Sequence, residues 1–244
     1  MLALVFMLVD HIHSYLQVLP SWTGLTTRFV APLFVFFIVE GFFLTRNRRA
    51  YAIRLWVGAL LMLAGNMLIN YAFNKVDLTT GQMSVYSLLQ GHNIFFTLAL
   101  FFTMMQVFER ISLSSGLQRG LWILALAPLF LLTLVAEGGI PMLPVFLIFF
   151  FLRGRIGAIY SAIAAWAGLL FASELYSYFS TEQVATLWQS LTFNNSFALV
   201  TVLIPLAFYN GQRGSNSAFA KWMFYVFYPL HLWVLMILSY LFIR

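Results

Sequence analysis

The chain has 244 residues, of which 62% are hydrophobic and only 8% are charged. A soluble globular domain usually carries about 25% charged residues, so this composition excludes a soluble protein and predicts an all-α bundle of membrane helices. The net charge of +6 comes from short basic clusters between apolar runs, which indicates membrane topology and not nucleic-acid binding. The absence of cysteine excludes disulfides, thiolate nucleophiles and Cys-ligated metals.

Apolar runs that approach the length of a membrane span, about 20 residues, follow one another along the chain. We count nine, at about residues 1–19, 28–45, 54–73, 92–108, 120–136, 140–153, 156–173, 184–208 and 222–243. The sixth run is short and opens with Pro141 and Pro144, so it is expected to be broken or re-entrant. The first half of the eighth run is polar enough for an interfacial helix, with the span itself beginning near Asn194. The sequence therefore predicts about nine transmembrane helices, with eight to ten left open.

The basic residues predict the orientation of these helices. If the connecting loops alternate sides, ten of the thirteen Lys and Arg residues fall on one side of the membrane. Cytoplasmic loops carry the excess of basic residues, so this distribution predicts a cytosolic N-terminus. We expect the first run to be a retained span, and residues 1–244 to form a single membrane domain. The ten cations are Arg46, Arg48, Arg49, Arg54, Arg110, Arg119, Arg153, Arg155, Arg213 and Lys221.

Asp10 and His11 lie inside the first apolar run, near the expected centre of the bilayer. At 1.5 Å per residue both are about 14 Å from the cytosolic end, and His231 in the last run has a similar depth. An acid beside an imidazole is costly in hydrocarbon unless the groups have partners or face a polar cavity. On a helix, Asp10, Ser14 and Gln17 form a polar stripe beside His11. We therefore predict that this side of the first helix lines a cavity or packs on polar groups.

Other polar residues have structural explanations of comparable weight. His13 and His92 are expected nearer the outer surface, where they would form hydrogen bonds between helices. Glu40 is either the partner of an arginine, such as Arg54, or a functional group. The histidines and acids show no established metal-ligand spacing, so we expect no metal site.

Seven short segments, in order along the chain, resemble the TraX family of bacterial inner-membrane proteins. They are residues 10–12 (DHI), 28–34 (RFVAPLF), 40–41 (EG), 45–47 (TRN), 93–98 (NIFFTL), 209–214 (YNGQRG) and 224–232 (FYVFYPLHL). The resemblance implies transfer of an acetyl group from acetyl-CoA to the N-terminal amine of a pilin. It also implies kinship with integral-membrane acyltransferases. The acceptor stays open between a pilin and another protein or molecule of the cell envelope.

The resemblance also implies roles for individual residues. Integral-membrane acyltransferases use an intramembrane histidine near the first span, and the resemblance assigns this role to His11, with Asp10 beside it. His231 and Glu40 match family motif positions and complete the catalytic candidates. We expect acetyl-CoA to enter from the cytosol, with its phosphates held by arginines through paired hydrogen bonds. The arginines that we expect to hold them are Arg46, Arg48, Arg49, Arg54 and Arg213.

The roles of the site residues leave alternatives open. His11 would act as a base toward the acceptor, or would itself take the acetyl group for a short time. Asp10 would set the tautomer of that histidine, or would act instead on His231 or on an arginine. Arg28, near the outer mouth, would orient the acceptor or polarise the thioester carbonyl.

Two other classes of function compete with acyl transfer. A proton-coupled transporter of a small solute would use Asp10, Glu40 and the histidines as a proton relay. A non-catalytic assembly factor in the membrane would need neither Asp10 nor His11 for chemistry.

Overall fold

The computed structural model describes residues 2–181, 184–212 and 217–242, and within these ranges it contains helices, turns and loops but no strand. The predicted all-α class is therefore confirmed. The helices are α1 (Leu2–Leu16), α2 (Thr23–Thr27), α3 (Val30–Leu44), α4 (Arg48–Ala72), α5 (Val85–Leu89), α6 (Ile94–Leu113), α7 (Gly116–Val135), α8 (Gly139–Phe151), α9 (Ile156–Ser180), α10 (Leu187–Phe193), α11 (Leu203–Ala207) and α12 (Ala218–Phe242), with a 3₁₀ helix at Ser196–Val202.

Among the described residues, six helices are long and apolar enough to cross a membrane. They are α2 and α3 taken together, α4, α6, α7, α9 and α12. A seventh span results if α10 and the following 3₁₀ helix with α11, which meet at 62°, count as one. The predicted division of the eighth run near Asn194 is thus present. The first and sixth runs fold as the shorter helices α1 and α8. Helix α8 is continuous, so of the two alternatives for the sixth run the broken helix is wrong, and the re-entrant one stays a prediction.

Apolar side chains cover the outward faces of several spans. On α7, Leu117, Leu121, Leu124 and Val135 are all exposed. Soluble monomers rarely expose apolar patches of more than a few hundred Å². These faces suit contact with lipid, and the chain is a multi-pass membrane protein.

The chain divides into two compact units, residues 1–33 with 152–244, and residues 34–151. In the first unit α1 packs against α2 and α12, while α9 packs against the 3₁₀ helix. Helix α1 ends at Leu16, because Gln17 adopts a left-handed conformation with φ of 53°. Gln17 is therefore outside the helix, and the predicted polar stripe ends at Ser14.

Helix α6 is the central helix of the second unit and packs against α4, α7 and α8. Its apolar residues are buried all round, including Phe95, Phe101 and Phe102. A helix that is apolar on every side needs such a central position in its bundle. The side chain of Asn93 begins this helix by accepting the N–H of Phe96 at 3.2 Å.

Candidate functional site

Two histidines meet where α1 packs against α12 in the first unit. His11 Nδ1 lies 3.0 Å from His231 Nε2, and both residues are buried, at 5% and 7% exposure. The ring of Tyr228, which is also buried, stands edge-on to both imidazoles. The similar depth expected for the two histidines is thus realised as a direct contact.

The hydrogen bonds of this pair determine which ring nitrogens carry protons. His231 Nδ1 lies 2.6 Å from the carbonyl oxygen of Phe227, and a carbonyl only accepts, so Nδ1 carries the hydrogen. In the neutral ring His231 Nε2 is then an acceptor, and His11 Nδ1 donates to it. Neutral His11 consequently has its lone pair on Nε2, which is the form a general base requires.

Asp10, although adjacent to His11 in the chain, faces a different element. Its Oδ1 accepts hydrogen bonds from Thr27 Oγ1 at 2.5 Å and from Arg28 Nη2 at 2.9 Å. Successive residues on a helix point in different directions, which separates the two side chains. The expectation that Asp10 sets the tautomer of His11 is therefore wrong. The alternative, in which the carboxylate acts on an arginine, is realised with Arg28.

Arg28 is held by Asp10 through one of its terminal nitrogens and keeps part of its side chain exposed. Its Nε atom is buried, and among the described residues it has no hydrogen-bond partner. A buried donor without a partner costs about 1–3 kcal/mol. The Nε–H group is therefore suited to donate to an oxygen of a bound molecule.

The remaining candidate site residues are Glu40 and the arginines at residues 46–54, all in the second unit. Arg213 lies outside the described residues. Glu40 is partly buried on α3. Exposed arginines surround the start of α4, and Arg54 stacks against the ring of Tyr51 at 5.5 Å. The exposed arginines of this group are Arg46, Arg49 and Arg54.

Arg48 differs from its three neighbours because its guanidinium is already engaged. Its Nη1 lies 2.6 and 2.8 Å from the carboxylate oxygens of Glu109. Its Nε donates to the carbonyl of Phe42, whose ring lies 4.2 Å from the guanidinium carbon. Arg48 therefore connects the start of α4 to α3 and α6.

A histidine–carboxylate pair that the sequence analysis did not identify lies in the second unit. His92 Nδ1 is 2.7 Å from Glu137 Oε1, across 45 positions of the chain. The other carboxylate oxygen accepts the backbone N–H of Asn93 at 2.5 Å. The pair thus connects the residue before the cap of α6 to the turn between α7 and α8. Its only sequence signal is an acid and a histidine at the ends of apolar runs.

Comparison with known proteins identifies one family over nearly the whole chain. The model of the family described as "TraX protein" matches residues 1–239. A probable fimbrial assembly protein FimC of serogroup H1, from Dichelobacter nodosus, is 28% identical over 239 residues. That alignment covers 95% of this chain and 90% of the relative. No solved structure matches the chain.

Proposed function

The chain belongs to the TraX family, and from this premise we propose that it is a membrane-bound acetyltransferase. It moves an acetyl group from cytosolic acetyl-CoA to an amine or hydroxyl group of an acceptor at or across the bacterial inner membrane. The similar protein from Dichelobacter nodosus bears the name of a fimbrial assembly protein. This favours a pilin N-terminus, or another molecule of the envelope, as the acceptor.

The contact of His11 with His231 carries the proposal. Both rings are buried, and their hydrogen bonds leave the basic lone pair of neutral His11 on Nε2. His11 takes a proton from the acceptor as its nitrogen or oxygen attacks the thioester carbon. The C–S bond breaks, and the sulfur leaves as a thiolate that takes up a proton. The products are the acetylated acceptor and the thiol of coenzyme A. His231 is a positioning residue, because it acts through His11.

Arg28 is the group that we propose to bind the thioester carbonyl. The negative charge that develops on this oxygen in the transition state is stabilised by a fixed donor. The buried Nε–H of Arg28 has the chemistry of such a donor, and the salt bridge to Asp10 fixes its guanidinium. Asp10 therefore serves as the anchor of Arg28. Glu40 remains a catalytic candidate from the family motif, without a step of its own.

The phosphates of acetyl-CoA bind, in this proposal, to the exposed arginines at the start of α4. Arg46, Arg49 and Arg54 are exposed, and guanidinium groups bind phosphate through two parallel hydrogen bonds. We place this basic group on the cytosolic side, with a cytosolic N-terminus and about nine membrane helices in one domain. No step of the proposed chemistry needs a metal ion.

The test measures acetyl transfer by the purified protein in detergent. Labelled acetyl-CoA is supplied with a short peptide that has a free N-terminal amine, or with octyl glucoside as a hydroxyl acceptor. A peptide with a blocked N-terminus is the control for specificity. We expect transfer to one acceptor, and a loss of about 100-fold or more in His11→Gln.

His13→Gln is the matched control variant. His13 lies two positions away on the same helix, and its Nδ1 contacts the carbonyl of Leu19 at 3.0 Å. We expect this variant to keep its activity. The proposal fails if the wild-type protein acetylates neither acceptor, or if His11→Gln is fully active. Proton-coupled solute uptake by proteoliposomes, without acetyl-CoA binding, would identify a transporter instead.

A further inference from the structure

We infer that residues 73–93, the segment that connects α4 to α6, form a membrane-seated loop whose outer face binds lipid. Its partner is the boundary between the head groups and the acyl chains of a phospholipid bilayer. The inference concerns the second unit alone, at the end of α4 that is remote from Arg48. It goes beyond the proposed acetyl transfer and does not depend on it.

The connecting segment returns along the side of α4 before α6 begins. Asn70 Nδ2 donates to the carbonyls of Leu88 and Gln90, at 2.9 and 2.8 Å. Asn66 Nδ2 donates to the carbonyl of His92 at 3.1 Å. At 1.5 Å per residue, Asn70 and Asn66 lie about 3 and 9 Å before the end of α4. Residues 88–92 therefore lie beside the last two turns of a helix that is long and apolar enough to span a membrane.

The return continues as far as the middle of α4. Asn93 Nδ2 donates to the carbonyl of Ala59 at 3.0 Å, and Ala59 lies about 20 Å before the end of α4. Helix α6 thus begins well inside the layer that α4 crosses. The chain between the two helices is consequently a re-entrant segment, and not a loop that stays outside the membrane.

Buried polar groups provide hydrogen bonds for the irregular backbone of this segment. Hydrocarbon offers no partner to such backbone, so at membrane depth it needs partners within the protein. Asn66 and Asn70 are buried and donate to its carbonyls, and a carboxylate oxygen of Glu137 accepts the N–H of Asn93 at 2.5 Å. Buried amides are costly in an apolar helix unless they are paired. Their pairing with residues 88–92 explains why α4 contains them.

Helix α5, within the same segment, has its polar side inward and its apolar side outward. Val85, Tyr86 and Leu89 are 72%, 66% and 44% exposed and lie on one face. Ser87, on the opposite face, is completely buried, and its Oγ lies 2.9 Å from the carbonyl oxygen of Lys75. A helix at a water-exposed surface has the opposite arrangement, with its apolar side toward the core. The outer face of α5 therefore suits an apolar partner.

The turn before α5 presents a further apolar side chain. Leu78 is 99% exposed. Around it the N–H of Asp77 donates to the carbonyl of Gln82 at 2.9 Å, and the N–H of Gly81 donates to the carbonyl of Asp77 at 2.8 Å. The carboxylate of Asp77 accepts the N–H of Thr79 at 2.9 Å. The polar groups of the turn thus bond to one another, while the leucine projects outward.

The neighbouring surface of α4 identifies lipid as the partner. Leu61, Leu68 and Tyr71 are exposed and share one face of α4, which continues to the level of the connecting segment. Helix α5 packs against α4, so its exposed apolar residues adjoin a span whose outer face suits lipid. Tyrosine is enriched at membrane–water interfaces, where its ring is apolar and its hydroxyl reaches water. Tyr71 and Tyr86 both fit this position.

The test measures the depth of spin labels in proteoliposomes of phosphatidylcholine and phosphatidylglycerol. The chain has no cysteine, so one introduced cysteine carries the only label. In Val85→Cys and Leu89→Cys, power saturation compares collisions with oxygen, which dissolves in lipid, and with a nickel chelate, which stays in water. We expect both labels to collide mainly with oxygen, at about 5–10 Å below the lipid phosphates.

Two exposed positions of the same unit give the reference values. Leu124→Cys, on the span α7, should collide mainly with oxygen, and Ser115→Cys, between α6 and α7, mainly with the nickel chelate. Labels at Val85 and Leu89 that match Ser115→Cys overturn the inference, because the segment then lies in water. Labels that collide with neither reagent also overturn it, because protein then covers the face. Leu78→Cys gives the same decision if a variant of α5 does not fold.

Discussion

The carboxylate of Asp10 and the guanidinium of Arg28 join α1 to the residue that follows α2, at 2.9 Å. Thr27 adds a second donor to the same carboxylate oxygen, and its side chain is buried. Both charges are only partly exposed to solvent, so each depends on the other for compensation. The pair therefore fixes the entry to the second apolar segment as well as the direction of the arginine.

Removing both members of this pair should destabilise the first unit by less than the sum of the two single removals. We expect Asp10→Asn and Arg28→Gln each to lower the stability by about 1–3 kcal/mol, because the remaining charged group loses its opposite charge. The double variant should be less unstable than the sum of the two. Thermal unfolding in detergent of the four proteins gives the coupling energy, and strict additivity would show that the pair is unimportant for stability.

His231 should affect catalysis through the orientation of His11. His231→Phe keeps an aromatic ring on α12 and removes the acceptor of the His11 Nδ1 hydrogen. We expect kcat to fall about 10- to 100-fold with little change in the KM for acetyl-CoA, because loss of the positioning contact affects proton transfer and not binding.

The nitrogen chemical shifts of His11 give a second readout for the same variant. In the wild-type protein the neutral ring should carry its hydrogen on Nδ1, and in His231→Phe this preference should weaken. Tyr228→Phe, which keeps the ring beside both imidazoles, is the control. An unchanged tautomer together with reduced activity would assign His231 a role other than positioning.

The sequence predicted the helices well, because a membrane span needs a recognisable length of apolar residues. Each of the nine predicted runs overlaps at least one helix of the structure. The depth of a residue in the membrane follows from its position in the apolar run. A polar residue near the middle of a run is therefore recognisable, and this identifies Asp10, His11 and His231 as candidates. The prediction that Gln17 belongs to the polar stripe of the first helix is wrong. A left-handed residue at the end of a helix has no effect on the apolar periodicity, so the sequence does not indicate it.

The partners of the polar residues could not be predicted in the same way. Depth along a span does not say which helices are neighbours, nor which way two successive residues point. The bond of Asp10 to Arg28 depends on the turn that brings α2 against α1. The bond of His92 to Glu137 joins two helix ends 45 positions apart. Such contacts follow from tertiary packing, which a single sequence does not specify.

Gly91 should be intolerant of substitution because it allows the turn that carries His92. Its φ is +139°, and an added Cβ would lie 2.6 Å from Asn66 Nδ2. Gly91→Ala should therefore combine backbone strain of about 1–3 kcal/mol with displacement of the Asn66 amide, which donates to the carbonyl of His92 at 3.1 Å. Thermal unfolding measures the loss. Gly81→Ala is the matched control, since Gly81 also has a positive φ but has open space around it. A similar loss in the two variants would show that the contact with Asn66 is not the cause.

The exposed arginines at the start of α4 should determine the affinity for the phosphates of acetyl-CoA. We expect Arg46→Gln, Arg49→Gln and Arg54→Gln to weaken binding of acetyl-CoA about 10-fold or more for each arginine that contacts a phosphate. Binding of acetyl-pantetheine, which has the same thioester without the nucleotide phosphates, should not change. Calorimetric titration of the purified variants with the two ligands measures the difference.

Arg48 provides the contrast within the same group, because its guanidinium is bound to Glu109 and to the carbonyl of Phe42. Arg48→Gln should lower the unfolding temperature by an amount corresponding to about 1 kcal/mol, with a smaller effect on the affinity for acetyl-CoA than its neighbours show. Arg119→Gln, an exposed arginine on α7, controls for the loss of one positive charge from the second unit. If Arg46→Gln, Arg49→Gln and Arg54→Gln weaken the binding of acetyl-CoA and of acetyl-pantetheine equally, the phosphates bind elsewhere. Only a contact with the nucleotide distinguishes the two ligands.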